Sequence, residues 1–78
     1  MNGDYMPLHL LPLGKAGKVK ELICDGNIRR RMLDLGLISD TEVEALQKSP
    51  SGDPTAYRIR GAVIALRSEE ASKILIAL

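Results

Sequence analysis

Ser49-Pro50-Ser51-Gly52-Asp53-Pro54 places two prolines, a glycine and an aspartate between two runs of alternating character, and no other segment restricts the chain as much. Proline fixes φ and withholds a backbone donor, glycine supplies left-handed backbone, and aspartate bonds its own main chain. The six residues therefore form the tip of a hairpin, with Asp53 serving the turn. The runs on either side become antiparallel neighbours. Thr41 to Lys48 begins with strict alternation and slips at Ala45-Leu46, where a bulge or a local twist is expected. Thr55 to Arg60 alternates Tyr57 and Ile59 against Arg58 and Arg60. Gly61 permits a sharp corner, and Ala62-Val63-Ile64-Ala65-Leu66 is apolar on both faces, the pattern of a strand covered on both sides.

Ahead of the hairpin, Met1 to Tyr5 is small and polar, and a frayed end is expected within residues 1–6, Met6-Pro7 opening the ordered part. Leu8, Leu10, Leu11 and Leu13 surround Pro12, which excludes a central strand and suits an edge segment wrapping the core. Gly14-Lys15-Ala16-Gly17 reads as a turn and Lys18 to Cys24 as a strand, which Asp25-Gly26-Asn27 ends. The segment from Ile28 to Leu37 has helical spacing. Ile28, Met32 and Leu35 share one stripe, with Leu33 beside them. Asn27 is the expected N-cap, Gly36 the expected left-handed C′ residue, and Leu37 folds back toward Met32. Arg29, Arg30 and Arg31 then fall in the first turn, where the helix dipole favours acids. Ser39-Asp40 is a turn. Near the C-terminus Ser68 caps a short helix led by Glu69 and Glu70, Ala71 and Ile74 face inward, and Leu75 to Leu78 closes the sheet.

Five short strands and two helices predict a mostly β protein, and a closed barrel removes the edges that so small a sheet would expose. With 78 residues the chain is one domain, 1–78. Its lone Cys24 forms no internal disulfide and its lone His9 completes no metal cage, which suits a reduced intracellular protein. A net charge of +1 with two tyrosines and no Phe or Trp argues against nucleic acid. The apolar run Leu8–Leu13 is too short to insert in a membrane, and no cationic leader precedes it, so a cytoplasmic location is expected. Gly14-Lys15-Ala16-Gly17 lacks the order of a phosphate loop, and no nucleophile with a base is evident, so the chain is not expected to be an enzyme. No cofactor is evident either, because Asp25, Glu42, Glu44, Asp53, Glu69 and Glu70 show no metal-ligand spacing.

The order of blocks is more informative than any one of them. Ile28-Arg29-Arg30-Arg31-Met32-Leu33-Asp34-Leu35-Gly36-Leu37, then Thr41-Glu42-Val43, Pro50-Ser51-Gly52-Asp53-Pro54, Ile59-Arg60-Gly61 and Ala65-Leu66-Arg67, resembles the FeoA family of the bacterial ferrous iron transport system. The resemblance runs from about Leu8 to the C-terminus. It implies a small SH3-like β-barrel with one helix inserted after the first barrel strand and a short helix near the C-terminus. It further implies a cytoplasmic accessory or regulatory protein acting through FeoB, a membrane permease with a GTPase domain. Self-association is left open, and weak divalent metal, iron, enters through the family's association alone. Because the C-terminal domain of metal-dependent repressors shares the barrel, a stand-alone regulatory domain is the alternative. The chain departs from the commoner family pattern at Ser39-Asp40, where Pro-Gly is usual, and at Ser51, where a larger apolar residue often sits.

Two surfaces are candidates for partner binding. Successive helical residues lie about 100° apart, so Arg29, Arg30 and Arg31 cannot share a face. Asp34 is placed to pair with Arg30 or Arg31, and the remaining cation would meet an anionic partner. The second candidate is the loop Pro50, Gly52, Asp53 and Pro54, since loops on rigid scaffolds carry contacts. Asn27, Gly36 and Gly61 are assigned structural roles.

Overall fold

A computed structural model describes residues 5–78. The expected frayed end thus lies outside the described residues up to position 4, whereas Met6, counted within it, is paired. The elements are β1 (Met6–Pro7), a single 3-10 turn (Leu8–Leu10), β2 (Ala16–Leu22), α1 (Gly26–Asp34), β3 (Glu42–Lys48), β4 (Thr55–Ile59), β5 (Ala62–Leu66), α2 (Ser68–Ala71) and β6 (Ile74–Ala77). Six strands form one antiparallel sheet in the order β1-β6-β2-β3-β4-β5. Inward residues alternate along the strands, and Val19, Val43, Tyr57, Ile59, Ile74 and Ile76 are all buried to within 1% exposure, so one face of the sheet encloses the core. Leu8 from the 3-10 turn and Met32 from α1, both at 0%, fill it from the sides.

The hairpin forms as its turn chemistry dictates. Ser49 donates its N–H to Pro54 O at 3.1 Å and Gly52 donates to Ser49 O at 2.8 Å, with Gly52 at φ +91°. The bulge sits where the alternation slips, since Ala45 opposes Tyr57 and Gln47 opposes Ala56, leaving Leu46 extra. Arg60 and Gly61, at φ +52° and +84°, make the two-residue turn between β4 and β5.

The helix also ends as expected. Gly36 adopts φ +96°, Leu37 N–H reaches Met32 O at 3.1 Å and Gly36 N–H reaches Leu33 O at 3.0 Å, the paired bonds of a Schellman ending. Its start differs. The helix begins at Gly26 with Asp25 as the N-cap residue, so Asn27 lies inside it and is not the cap. Gly26, at φ +64°, lets the chain turn off the strand before Asn27 is reached. The apolar stripe is also narrower than its spacing suggests. Met32 is fully buried, but Ile28 and Leu33 are about 40% exposed.

Three strand expectations change. Ala16 and Gly17 belong to β2 rather than to a turn: Gly17 opposes Val43, and a Cβ there would lie 2.9 Å from Ile76 Cδ1 and 3.0 Å from Ala77 O. Only glycine lets β6 approach so closely. β5 is not a covered strand. It pairs with β4 alone, at the end of the sheet, and Val63 is 63% exposed. Finally, the edge opposite β5 is β1, and Leu10 and Leu13 of the wrapping segment face outward while Leu8 and Leu11 are buried.

Gly36 and Gly52 separate two costs of a side chain. A Cβ at Gly52 meets nothing within 4 Å, so Gly52→Ala pays only for left-handed backbone, about 1 kcal/mol. At Gly36 the added carbon also collides with the Arg60 side chain. Urea denaturation is expected to show Gly36→Ala losing more stability than Gly52→Ala.

Candidate functional site

The arginine triplet is divided by its surroundings. Because α1 starts at Gly26, the arginines occupy its middle and Arg31 its last turn, where a cation suits the dipole; the expected clash with the helix N-terminus is overturned. Arg29 Nη1 donates to Leu22 O at 3.1 Å and so ties the helix to the end of β2. Arg31 pairs with Glu70 of α2, not with Asp34. The carboxylate of Glu70 is held in place from below, since its Oε1 accepts Arg67 N–H at 3.1 Å. Arg30 is exposed and, among the described residues, has no hydrogen-bond or ion-pair partner.

The hairpin tip is tied down as well. Pro50, Ser51 and Gly52 are exposed, and Ser51 Oγ donates to Asp53 O at 3.0 Å. Asp53, followed by a cis bond to Pro54, does not bond its own backbone through its carboxylate. Its Oδ1 accepts Ser68 N–H at 2.7 Å. This corrects the role expected of Ser68, whose side chain does not cap α2: the N-cap residue is Arg67, and an acid from another part of the chain meets the first free N–H. The two sequence-derived candidate surfaces thus flank one short helix, Asp53 at its first residue and Arg31 at its third.

A charged cleft escaped the sequence reading. Ile38 to Thr41, Glu42 and Glu44 face Arg58, Arg60 and Gly61 across a space of about 500 Å³. Within it Arg58 Nη1 donates to Glu44 Oε1 at 3.1 Å across directly opposed positions of β3 and β4. The signal was present, since Glu44 and Arg58 lie on solvent-facing positions of the two hairpin runs, but their opposition depends on the length of the tip and on the bulge. At the rim Lys20 Nζ donates to Asp40 Oδ1 at 2.7 Å. That hydrogen bond holds the Asp40 carboxyl below its ordinary value of 3.8 and the Lys20 ammonium above its ordinary 10.5. In the core, burial pushes the Tyr57 phenol up.

The cleft mixes both signs of charge beside the exposed Ile38, so it suits contact with a protein surface of mixed character. Among the described residues no three of His, Cys, Asp and Glu gather closely enough to hold one. Cys24 is a buried thiol and His9 is half-buried with its Nδ1 unpartnered. Among the same residues no helix is long and apolar enough to cross a membrane.

The sheet, its plugging helix and the tied hairpin define a small SH3-like domain, the description also given to one of the solved structures similar to it. The chain belongs to the FeoA domain family, whose model matches residues 6–78, and the family is linked to ferrous iron transport. An FeoA-like protein from Clostridium acetobutylicum superposes with a TM-score of 0.88 at 32% identity, covering 96% of this chain and 87% of that one. FeoA of Stenotrophomonas maltophilia complexed with zinc, a prokaryotic SH3 domain protein, gives 0.82 at 29% identity over 91% of this chain and 88% of that one. An Fe(2+) transport protein A/Fe(2+) transporter FeoB fusion protein of Porphyromonas gingivalis is 36% identical over 53 residues, 68% of this chain. The match spans only 6% of that relative's length. A manganese-dependent transcriptional repressor shares the fold, with a TM-score of 0.83 at 20% identity over 94% of this chain and 41% of that one.

Two outcomes test this geometry. Removing the acid that meets the start of α2 by Asp53→Ala is expected to cost about 1 kcal/mol in chemical denaturation and to speed exchange of the Ser68 amide. For the Lys20–Asp40 pair, the depressed carboxyl contributes stability that is complete above its ordinary value and is lost as pH falls through its lowered one. The raised ammonium contributes stability that is lost only as pH rises through its own. The stability difference between the wild type and Asp40→Asn is therefore expected to be constant through neutral pH and to shrink below pH 3.8. Denaturation as a function of pH reads it directly.

Proposed function

We propose that this chain is a non-enzymatic, cytoplasmic accessory protein that acts by binding an FeoB-type ferrous iron permease. The observation that carries the reading is the relative in which an FeoA segment similar to this chain is fused to FeoB. Fusion keeps two domains at high effective concentration, and separate chains that perform the same task must meet through a surface. Iron is cargo in this reading. The domain supplies surface.

The candidate contacts follow from what the fold leaves available. Arg29 and Arg31 serve the helix, which leaves Arg30 as the member of the triplet able to meet an anionic partner. At the hairpin, Asp53 serves α2, and the exposed Pro50, Ser51 and Gly52 remain. The likeness to a repressor domain at 20% identity concerns the fold, and no base-contacting or regulatory feature of this chain favours that role.

Titration of the chain into the reconstituted permease, with and without nucleotide, is expected to give saturable binding. No binding in either state would overturn the reading. Arg30→Glu is expected to weaken binding several-fold and to flatten its salt dependence, as reversal of a rim charge does. Unchanged binding by a folded variant would remove α1 from the docking surface.

A further inference from the structure

At the corner between β2 and α1, Asp25-Gly26 brings together a carboxylate and a peptide nitrogen that the fold does not use. Asp25 is the N-cap residue, yet its side chain makes no capping bond and no ion pair, and both residues are exposed. Gly26 opens the helix, so its N–H is one of the donors that a helix leaves over, and among the described residues no group accepts it. Glycine has no side chain to shield that nitrogen, and a Cβ built there would meet nothing within 4 Å.

The other described aspartates are protected. Asp34 is followed by Leu35, whose N–H donates to Arg31 O at 3.0 Å. Asp40 holds Lys20 at 2.7 Å, and the next N–H, that of Thr41, donates to Ile38 O at 3.0 Å. Asp53 accepts Ser68 N–H and precedes Pro54, whose nitrogen carries no hydrogen. Among the described residues, carboxylate and following nitrogen are both free at Asp25 alone.

We propose that Asp25 is a covalent modification site, at which the folded chain converts spontaneously to isoaspartate. The Gly26 nitrogen gives its proton to solvent and attacks Asp25 Cγ; the new C–N bond forms and a carboxyl oxygen departs as water, leaving a succinimide. Water then adds to one of the two ring carbonyls. Opening at Cγ restores aspartate. Opening at the other carbonyl breaks the original peptide bond, and the main chain then runs through Cβ and Cγ. One water leaves and one returns, and nothing is oxidised or reduced. Ring closure turns ψ of Asp25 away from −177°, a motion that the open space around Gly26 permits. The product lengthens the backbone at the corner by one carbon. It also converts the carbonyl that accepts Arg29 N–H at 3.4 Å into a free carboxylate, so α1 loses its first hydrogen bond next to the tie between Arg29 and Leu22.

Ageing the full chain in warm neutral buffer, followed by tryptic mapping, tests the proposal. Peptide 21–29 is expected to separate into two species of equal mass, with a minor form lighter by one water. The new species is expected to accept a methyl group from S-adenosylmethionine when treated with an isoaspartyl methyltransferase. Deamidation of Asn27 in the same peptide changes its mass and is thereby told apart. Peptide 32–48, which carries Asp34 and Asp40, is expected to stay single. Asp25→Glu keeps the charge but has to close a larger ring, and is expected to slow the conversion about tenfold. Faster exchange of the Arg29 amide in the isomerised fraction would report the lost helix bond. If the native chain forms no isoaspartate at Asp25, or forms it only when unfolded in urea, the proposal is overturned. Conversion of Asp34 or Asp40 at the same rate would equally overturn it, since the free carboxylate and nitrogen would then decide nothing.

Discussion

Four residues of helix hold the two halves of this domain in place. α2 is too short to stabilise itself, since it makes barely one turn. It persists because its exposed donors are met from elsewhere. The Asp53 carboxylate of the β3–β4 hairpin takes Ser68 N–H, and Glu70 takes Arg67 N–H while pairing with Arg31 of α1. Underneath, Ala71 is fully buried, anchoring the turn to the core. The junction joins the hairpin tip to the plugging helix, so neither candidate surface is independent of the other. It also explains why two residues that look like binding groups in isolation, Asp53 and Arg31, are occupied.

The rest of the charge distribution follows the same pattern. Arg29 binds a carbonyl, Arg58 binds Glu44 across the hairpin and Lys20 binds Asp40 at the turn before β3. Each of these pairs is exposed, where ion pairs add little stability and mainly fix orientation. What they accomplish is selection among the arginines, three of which are engaged. Arg30, Arg60 and Arg67 form no ion pair among the described residues.

The two edges of the sheet differ in how they are protected. An SH3-like sheet of this size has to protect two edges, and here one is blunted by brevity and proline while the other is apolar and continuous.

How much of this was legible in the sequence depended on how far apart the deciding residues lie. The hairpin tip, the bulge at Leu46, the corner at Gly61 and the Schellman ending at Gly36 were all readable, because each is set by backbone preferences within five or six residues. The run Ala62–Leu66 misled because apolar residues on both faces say that a strand tolerates burial, while its place in the strand order decides whether it receives any. Arg31 could not be assigned to Glu70 from spacing, since the two are 39 residues apart and meet only once β6 and α2 are packed. The start of α1 was missed by two residues because a positive φ at Gly26 leaves no mark that distinguishes it from an ordinary loop glycine. Local chemistry determined the turns and stops of this chain, and the family it belongs to. Which charges are paired and which strand is left open was decided by tertiary packing, because register and burial depend on residues that only the folded sheet brings together.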